Sequence, residues 1–225
     1  MKKLPDVTLL AISSDRVESN VKALEHSMKL MEFGAVKFLS HRKPEYLPEG
    51  IQFEECAELK CIRDFDYYAF KELGKHVTTS HALMIQDHAY LLHTDVWRDE
   101  FLNFDFCGAL WEPRMEFLSP SSFTLARLGN GGFSLRSKRI MDLPKKLDLP
   151  LVEDRGYTND DGQINVYWRK TMLENGIVYP EPWEIADFAY ENDTPENLEI
   201  EKYLGFHRNI APRMMKHLTK DMIIH

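Results

Sequence analysis

Residues 80–88 read SHALMIQDH, an apolar run that ends at three polar side chains. A run of this length and composition is typical of a buried strand. Gln86, Asp87 and His88 then lie at the carboxyl end of that strand. Because open α/β sheets bind their ligands beyond the carboxyl ends of parallel strands, the sequence predicts a strand at residues 80–85 with a ligand site directly after it.

On both sides of this strand, apolar runs alternate with helical patterns. Strands are predicted at 7–12, 35–40, 51–56 and 106–111. Helices are predicted at 17–31, capped by Ser14 or Asp15 and ended by Gly34, at 67–73, from Ser137 towards Asp142, and at 164–174. The alternation predicts an α/β fold with a Rossmann-type mixed sheet flanked by helices, and the length of 225 residues suits one domain.

The composition restricts the partners and the compartment. With 36 acidic and 28 basic residues the formal charge is −8, which argues against binding along a nucleic-acid backbone. Three cysteines without a CxxC pair indicate neither a disulfide framework nor a zinc site. The apolar run at 7–12 is too short for a signal-peptide core or a membrane span. We therefore expect a cytoplasmic protein without a transmembrane segment.

Charged side chains at three places are candidates for chemistry, and each also has a purely structural interpretation. Asp87 and His88 can bind a divalent cation, although an Asp after a strand is commonly a turn former. Asp160 and Asp161 precede the predicted 164–174 helix, where capping explains one carboxylate and general-base chemistry would explain the other. A basic cluster either forms an anion pocket or is a solvated helix face; its members are Arg136, Lys138, Arg139, Lys145 and Lys146.

The segment LGNGGFSLR at 128–136 concentrates three glycines in four positions. Such glycines favour a backbone with positive φ or one that lies close to a ligand. The segment lacks the lysine of a phosphate loop and the third glycine of a dinucleotide fingerprint. A tight turn before a strand is the alternative. A lone histidine, His207 in Gly-Phe-His, is either a metal ligand or a half-buried side chain.

Five segments taken together resemble an uncharacterised family of small glycosyltransferase-like proteins, the domain of unknown function 5672 family, over roughly residues 4–210. Asn-Gly-Gly-Phe-Ser-Leu-Arg-Ser at 130–137 is the most specific part, and a similar Gly-Gly-Phe-Ser element occurs in other enzymes of the GT-A type. The segments are IQDHAYLLHTDVWRDEFLNFDFCGALW, LGNGGFSLRSKRIMDLP, NDDGQINVYWRKTMLENGI, PWEIADFAYEN and LGFH.

The resemblance implies a GT-A glycosyltransferase domain, with a nucleotide-binding half at about 1–110 and an acceptor-side half at about 111–225. It implies transfer of a sugar from a nucleotide-diphosphate-sugar, with a UDP-sugar favoured, to a glycan, a lipid-linked molecule or another hydroxyl acceptor. Asp160 or Asp161 would be the catalytic base of an inverting enzyme. The implied donor-binding residues are Ile12, Ser13, Ser14, Gln86, Asp87, Asn130, Gly131, Gly132 and Arg136.

The resemblance also places Gln86-Asp87-His88 where GT-A enzymes carry a metal-binding Asp-x-Asp motif. Asp87, His88 and His207 would hold Mn²⁺ or Mg²⁺. Only one of the three motif residues is a carboxylate, so protein groups holding the diphosphate are the alternative to a cation.

Three other functions remain open at this point. The first is a nucleotide-sugar-binding protein that has lost catalysis, which would leave the motifs scattered instead of around one cleft. The second is a transferase that glycosylates modified nucleic acid, which requires a basic stripe beside the cleft. The third is an interaction module without a pocket. The stripe would combine Lys138, Arg139, Lys145 and Lys146 with Arg208, Arg213, Lys216 and Lys220.

Overall fold

The structure, a computed structural model, describes residues 1–112, 127–153 and 158–210, and residues 213, 216, 218 and 222. The strands are β1 (Lys2–Ile12), β2 (Met31–Ser40), β3 (Gln52–Glu55), β4 (His81–Ile85), β5 (Ala89–Leu91), β6 (Phe106–Gly108), β7 (Phe133–Ser137), β8 (Ala189–Tyr190) and β9 (Gly205–His207). The α-helices are α1 (Val17–Met28), α2 (Ile62–Lys71), α3 (Lys138–Lys146), α4 (Asp160–Gly162) and α5 (Arg169–Glu174).

Six strands form one mixed sheet in the order β3-β2-β1-β4-β7-β6. The first four run parallel, and β7 is antiparallel to both of its neighbours. Val7, Leu9 and Leu10 of β1 are fully buried, as expected for a parallel strand covered on both faces. A second sheet has the order β5-β9-β8. The predicted fold, one α/β domain with a mixed sheet flanked by helices, is confirmed.

Strand pairing brings distant segments to one edge of the main sheet. The parallel strands β1 and β4 end there at Ile12 and Ile85. Because β7 is antiparallel, its first residue, Phe133, pairs with Ile85. In the second sheet Ala89 pairs with His207. The register therefore places the glycines before β7, the polar residues after β4 and the end of β9 beside one another.

The first predicted helix is shorter than expected. Helix α1 ends at Met28 and β2 already begins at Met31, so Gly34 lies inside a strand and does not end the helix. A Cβ at position 34 would lie 2.1 Å from the Pro5 carbonyl oxygen, so glycine permits this close approach. The predicted cap is also wrong, because none of the described side chains caps α1 and the Ser14 hydroxyl accepts from the Leu59 amide at 2.8 Å.

The predicted helix at 164–174 starts earlier and changes pitch. After α4 the chain forms a π-helical turn at Gln163–Tyr167, with Trp168 N–H donating to the Gln163 carbonyl at 2.8 Å, before α5 begins. Such turns are rare and frequently lie at functional sites. The turn leaves Asn165 fully buried, with both of its amide atoms unpartnered among the described residues.

Smaller differences concern the other elements. Helix α2 begins five residues before the predicted start, and β6 ends at Gly108, followed by a single bridge between Leu110 and Leu128. The three cysteines are free thiols. None of the helices in the described ranges is long and apolar enough to cross a bilayer.

Candidate active site

A pocket of about 650 Å³ opens at the carboxyl ends of β1 and β4. Ile12, Ser13 and Ser14, predicted to contact a nucleotide, line one side, and Gln86, Asp87 and His88 line another. Helix α2 adds the half-buried Phe65 and the exposed Ile62. The volume lies in the usual range for small-molecule sites, and the lining combines a few polar groups with apolar faces. A larger groove of about 1340 Å³ between α2 and residues 148–151 contains none of the predicted site residues.

Two histidines face each other beside this pocket. Nε2 of His88 and Nε2 of His207 are 2.8 Å apart, and Gln86 Oε1 lies 3.3 Å from His207 Nε2. Each ring presents Nδ1 to a carboxylate: His88 to Asp87 at 2.7 Å and His207 to Glu191 at 2.9 Å. We assign the proton to Nδ1 in both rings, because a carboxylate only accepts. Both Nε2 lone pairs then point at one another, an arrangement that a positive charge between them would stabilise.

That positive charge is either a proton on one ring or a metal ion. Burial, opposed by the Glu191 carboxylate, lowers the pKa of His207, which favours the neutral ring that a metal ion requires. A carboxylate behind each imidazole is the usual support of a metal-binding histidine. Gln86, His88 and His207 therefore fit a cation by their chemistry. Within the described ranges, no three His, Cys, Asp or Glu side chains are grouped so as to hold a metal ion.

Asp87 does not face the histidine pair as predicted. One of its oxygens takes the His88 ring, and the other lies 2.9 Å from Nη1 of Arg16. Burial alone raises the pKa of Asp87, but His88 and Arg16 outweigh burial and lower it to about 2. Asp87 therefore orients His88 and is neutralised by Arg16, and Gln86 Oε1 occupies the place among the cation-facing atoms that we expected for Asp87.

The glycines of the 129–132 segment permit close contacts and do not supply positive φ. A Cβ at Gly132 would lie 2.2 Å from the His207 ring and 2.9 Å from Gln86 Oε1. A Cβ at Gly131 would lie 2.6 Å from Nη2 of Arg136. Neither glycine has the left-handed φ that the sequence suggested. Gly131 and Gly132 therefore let the backbone pass between two groups of functional side chains.

Replacing Gly132 by alanine is expected to lower the free energy of unfolding by about 1–3 kcal/mol, because the new methyl group overlaps the His207 ring. Gly162→Ala is the matched control. Its Cβ would lie 3.9 Å from the nearest described atom, and its φ of −63° is helical. We therefore expect the free energy of unfolding to rise by no more than about 1 kcal/mol. Denaturant unfolding measures both. Equal stabilities of the two variants would show that the His207 ring is not where we place it.

On the other side of Gly131 lie the two predicted catalytic carboxylates. The amide N–H groups of Gly131 and Gly162 donate to the half-buried Asp161, at 3.3 Å and 2.8 Å. Burial, and after it the charge of Asp160, raise the pKa of Asp161 to about 7. Asp160 is buried and its Oδ2 lies 2.5 Å from Nη2 of Arg136. The carboxylates of Asp160 and Asp161 thus have different surroundings, and Asp161 is more accessible to solvent than Asp160.

Arg136 is fully engaged inside the protein. Its side chain is 2% exposed. Besides Asp160, its guanidinium donates to the Ser134 hydroxyl and to the Gly131 carbonyl. Because the Arg136 side chain is buried, it is not available for the predicted contact with the donor. It holds Asp160 instead. Asn130 is also held, because its amide donates to Glu191 at 2.8 Å.

Sequence reasoning missed two carboxylates that support these groups, one half-buried and one fully buried. Glu191 accepts from both Asn130 and His207. Asp66 is fully buried on the apolar face of α2, accepts from the Thr158 hydroxyl, and has its pKa raised to about 7, first by burial and then by the charge of Asp160. An acidic residue in register with buried Ala69 and Phe70 was the available signal for Asp66.

Other candidates do not join the site. The basic cluster is not an anion pocket, because most of its members are paired with carboxylates. The pairs are Arg136 with Asp160, Arg139 with Asp105, Lys138 with Asp142 and Lys145 with Glu72. Arg213 and Lys216 of the proposed nucleic-acid stripe are paired with Asp193 and Glu201, and Lys220 lies outside the described residues.

Glycosyltransferases are among the solved structures to which this chain is distantly similar. The apo form of glycosyltransferase GlyE from Streptococcus pneumoniae TIGR4 matches with a TM-score of 0.46 and 14% identity, covering 81% of this chain and 46% of that one. The mannosyltransferase PcManGT from Pyrobaculum calidifontis, solved with GDP-Man and Mn²⁺, matches with a TM-score of 0.36 and 10% identity, covering 64% and 48%. This chain spans about half the length of each.

No curated protein matches the sequence. The model of a family described as a protein of unknown function, DUF5672, matches residues 68–207, which include every site segment from β4 to β9. This chain belongs to the DUF5672 family.

Proposed function

We propose that this protein is a glycosyltransferase of the GT-A type that moves a sugar from a nucleoside-diphosphate-sugar to a hydroxyl acceptor. One observation carries the proposal. A pocket at the carboxyl ends of parallel strands adjoins a histidine pair with carboxylate support, and Gly132 and Gly131 connect that pair to a carboxylate pair outside the pocket lining. These are the parts that such a transfer needs: a donor site, positive charge at the leaving group and a base.

The donor would bind in the pocket beyond β1 and β4, as ligands of open α/β sheets do. Phe65 and Ile62 offer apolar faces to the nucleobase of the donor, and Ser13 and Ser14 lie at the end of β1. The diphosphate would then lie towards Gln86 and His88. A UDP-sugar is the first donor to test, and residues 1–110 form the donor half of the domain.

Asp161 is the proposed base. In an inverting transfer its carboxylate takes the proton of the acceptor hydroxyl while the hydroxyl oxygen bonds to the anomeric carbon and the bond to the diphosphate breaks. A pKa of about 7 suits this role, because the carboxylate is partly ionised at neutral pH and still basic enough to accept a proton. Arg136 fixes Asp160 next to it, so Asp160 positions and polarises Asp161. The acceptor, a glycan or a lipid-linked molecule, would approach from the half formed by residues 111–225.

Gln86 Oε1, His88 Nε2 and His207 Nε2 are the proposed holders of a divalent cation, Mn²⁺ or Mg²⁺. When bound, the cation would offset the negative charge of the departing diphosphate. Asp87 and Glu191 keep both rings oriented with Nε2 unprotonated. The three free thiols support the cytoplasmic location that we propose.

Thermal unfolding with UDP, GDP, CMP and their sugars, each with and without Mn²⁺, tests the donor site. A ligand at about 100 times its Kd stabilises the native state by about 2.7 kcal/mol, which raises Tm by about 5–10 °C in a domain of this size. We expect such a shift with one nucleoside diphosphate, enlarged by Mn²⁺.

The variant His207→Ala should lose the part of the shift that depends on Mn²⁺. His41→Ala, a histidine outside the pocket lining, should keep it. A folded wild-type protein that shows no shift with any of these ligands would contradict the proposal.

A further inference from the structure

Arg208, the residue after His207, has a strained backbone. Its φ is 59°, in the left-handed region that side chains other than glycine rarely adopt. Asp148 is the other non-glycine residue with positive φ in the described part of the chain. Strain of this kind persists when surrounding contacts enforce it and is frequent at ligand-binding sites.

Three hydrogen bonds hold Arg208 in this conformation. Its amide donates to the His88 carbonyl at 2.9 Å, and the next amide, of Asn209, donates to the His207 carbonyl at 2.7 Å, which closes a tight turn around Arg208. Its side-chain Nε donates to His88 Nε2 at 3.2 Å. The turn and this last bond direct the guanidinium to the pocket, of which Arg208 is a lining residue.

The two Nη groups of Arg208 have no partner among the described residues. The nearby Asp87 does not attract them, because Arg16 and His88 already engage both of its oxygens. Asp15, the other carboxylate of the pocket lining, accepts at Oδ1 from the Ser13 hydroxyl and the Arg16 amide. Within the described ranges Arg208 is thus a cation without a counter-charge, with a planar pair of N–H groups that matches two phosphate oxygens.

We propose that Arg208 binds the diphosphate of the donor and that its left-handed backbone is what aims the guanidinium at it. This inference rests on the proposed function, because it names the group that receives the donor's diphosphate in the same pocket. Arg208 makes this contact in addition to any cation on the histidine pair. Since a cation on His88 Nε2 would displace the Arg208 Nε bond, binding is measured both in EDTA and in Mn²⁺.

Calorimetric titration of UDP and GDP into the wild type, Arg208→Lys and Arg208→Gly tests the inference. The Kd for the nucleoside diphosphate should rise about 10- to 100-fold in Arg208→Gly, the usual effect of losing hydrogen bonds to a charged group. The Kd of Arg208→Lys should lie between those of the wild type and Arg208→Gly, because lysine keeps the charge and loses the planar pair of donors. Thermal unfolding of ligand-free Arg208→Gly should show a Tm no lower than that of the wild type, because glycine relieves the strain.

Asp148→Gly is the matched control. It relaxes the other left-handed residue, which lies outside the donor pocket, and should leave Kd unchanged. Equal affinities of wild type and Arg208→Gly, in every condition where the wild type binds, would overturn the Arg208 assignment and leave the proposed function intact. A wild type that binds neither UDP nor GDP would overturn both.

Discussion

Replacement of Asp161 by asparagine is expected to lower kcat by about 100- to 10,000-fold, because the variant has no carboxylate to take the proton of the acceptor hydroxyl. The wild type should become more active as pH rises through about 7, since burial and the Asp160 charge raise the pKa of Asp161 to that value and only the ionised form is a base. Initial rates of sugar transfer between pH 5 and 9 measure both effects.

Stability gives an independent test of the same residue. The pKa of Asp161 is higher in the folded protein than its unfolded value of about 4, so this group destabilises the fold as pH rises from about 4 to about 7. The gain in Tm of Asp161→Asn over the wild type should therefore be larger at pH 8 than at pH 5. Glu174→Gln, an exposed carboxylate on α5, should alter neither rate nor this difference. Transfer by Asp161→Asn within threefold of the wild type would exclude Asp161 as the base.

Replacement of Arg136 by methionine is expected to lower the free energy of unfolding by about 3–5 kcal/mol, because it leaves Asp160 buried without its counter-charge. Methionine keeps much of the side-chain volume, so lost packing contributes little. The double variant Arg136→Met with Asp160→Asn should recover part of this loss, since it also removes the buried charge. Urea unfolding at pH 7.5 measures the free energy of unfolding of the wild type, the single variant and the double variant.

Arg42→Met is the matched control for this ion pair. Arg42 is paired with Glu18, but both side chains are about half exposed, so removing this arginine should leave the free energy of unfolding nearly unchanged. If Arg136→Met and Arg42→Met were equally stable, the assignment of Arg136 as the buried support of Asp160 would be wrong.

The sequence was sufficient to predict the fold class and a pocket after the strand at 80–85, and the assignment of that pocket as the functional site stays a prediction. The strand at 81–85 and the polar residues after it are a local pattern, and the rule that ligands lie at the carboxyl ends of parallel strands then locates the pocket. Two segments next to the histidine pair were also recognisable, because Gly131-Gly132 and Asp160-Asp161 are unusual in composition. Their roles as donor-contacting and catalytic residues stay predictions.

What the sequence did not reveal depends on contacts between distant segments. The pairing of β5 with β9 puts His207 against His88, and no local pattern specifies that register. For the same reason Asp87 was expected to face a cation, whereas Arg16 and the His88 ring take its oxygens. The sequence left the glycines as either a positive φ or a close approach to a ligand, and the structure shows close approach to His207 and Arg136. The apolar spacing did not indicate the π-helical turn before α5.

The most direct test of the account is the release of nucleoside diphosphate from a panel of UDP-sugars and GDP-sugars, with Mn²⁺ present and a mixture of sugar acceptors. The account predicts that the wild-type protein consumes one class of donor and that Asp161→Asn, folded and prepared in the same way, consumes it at least about 100-fold more slowly. No consumption of any donor by folded wild type, or equal consumption by wild type and Asp161→Asn, would contradict it.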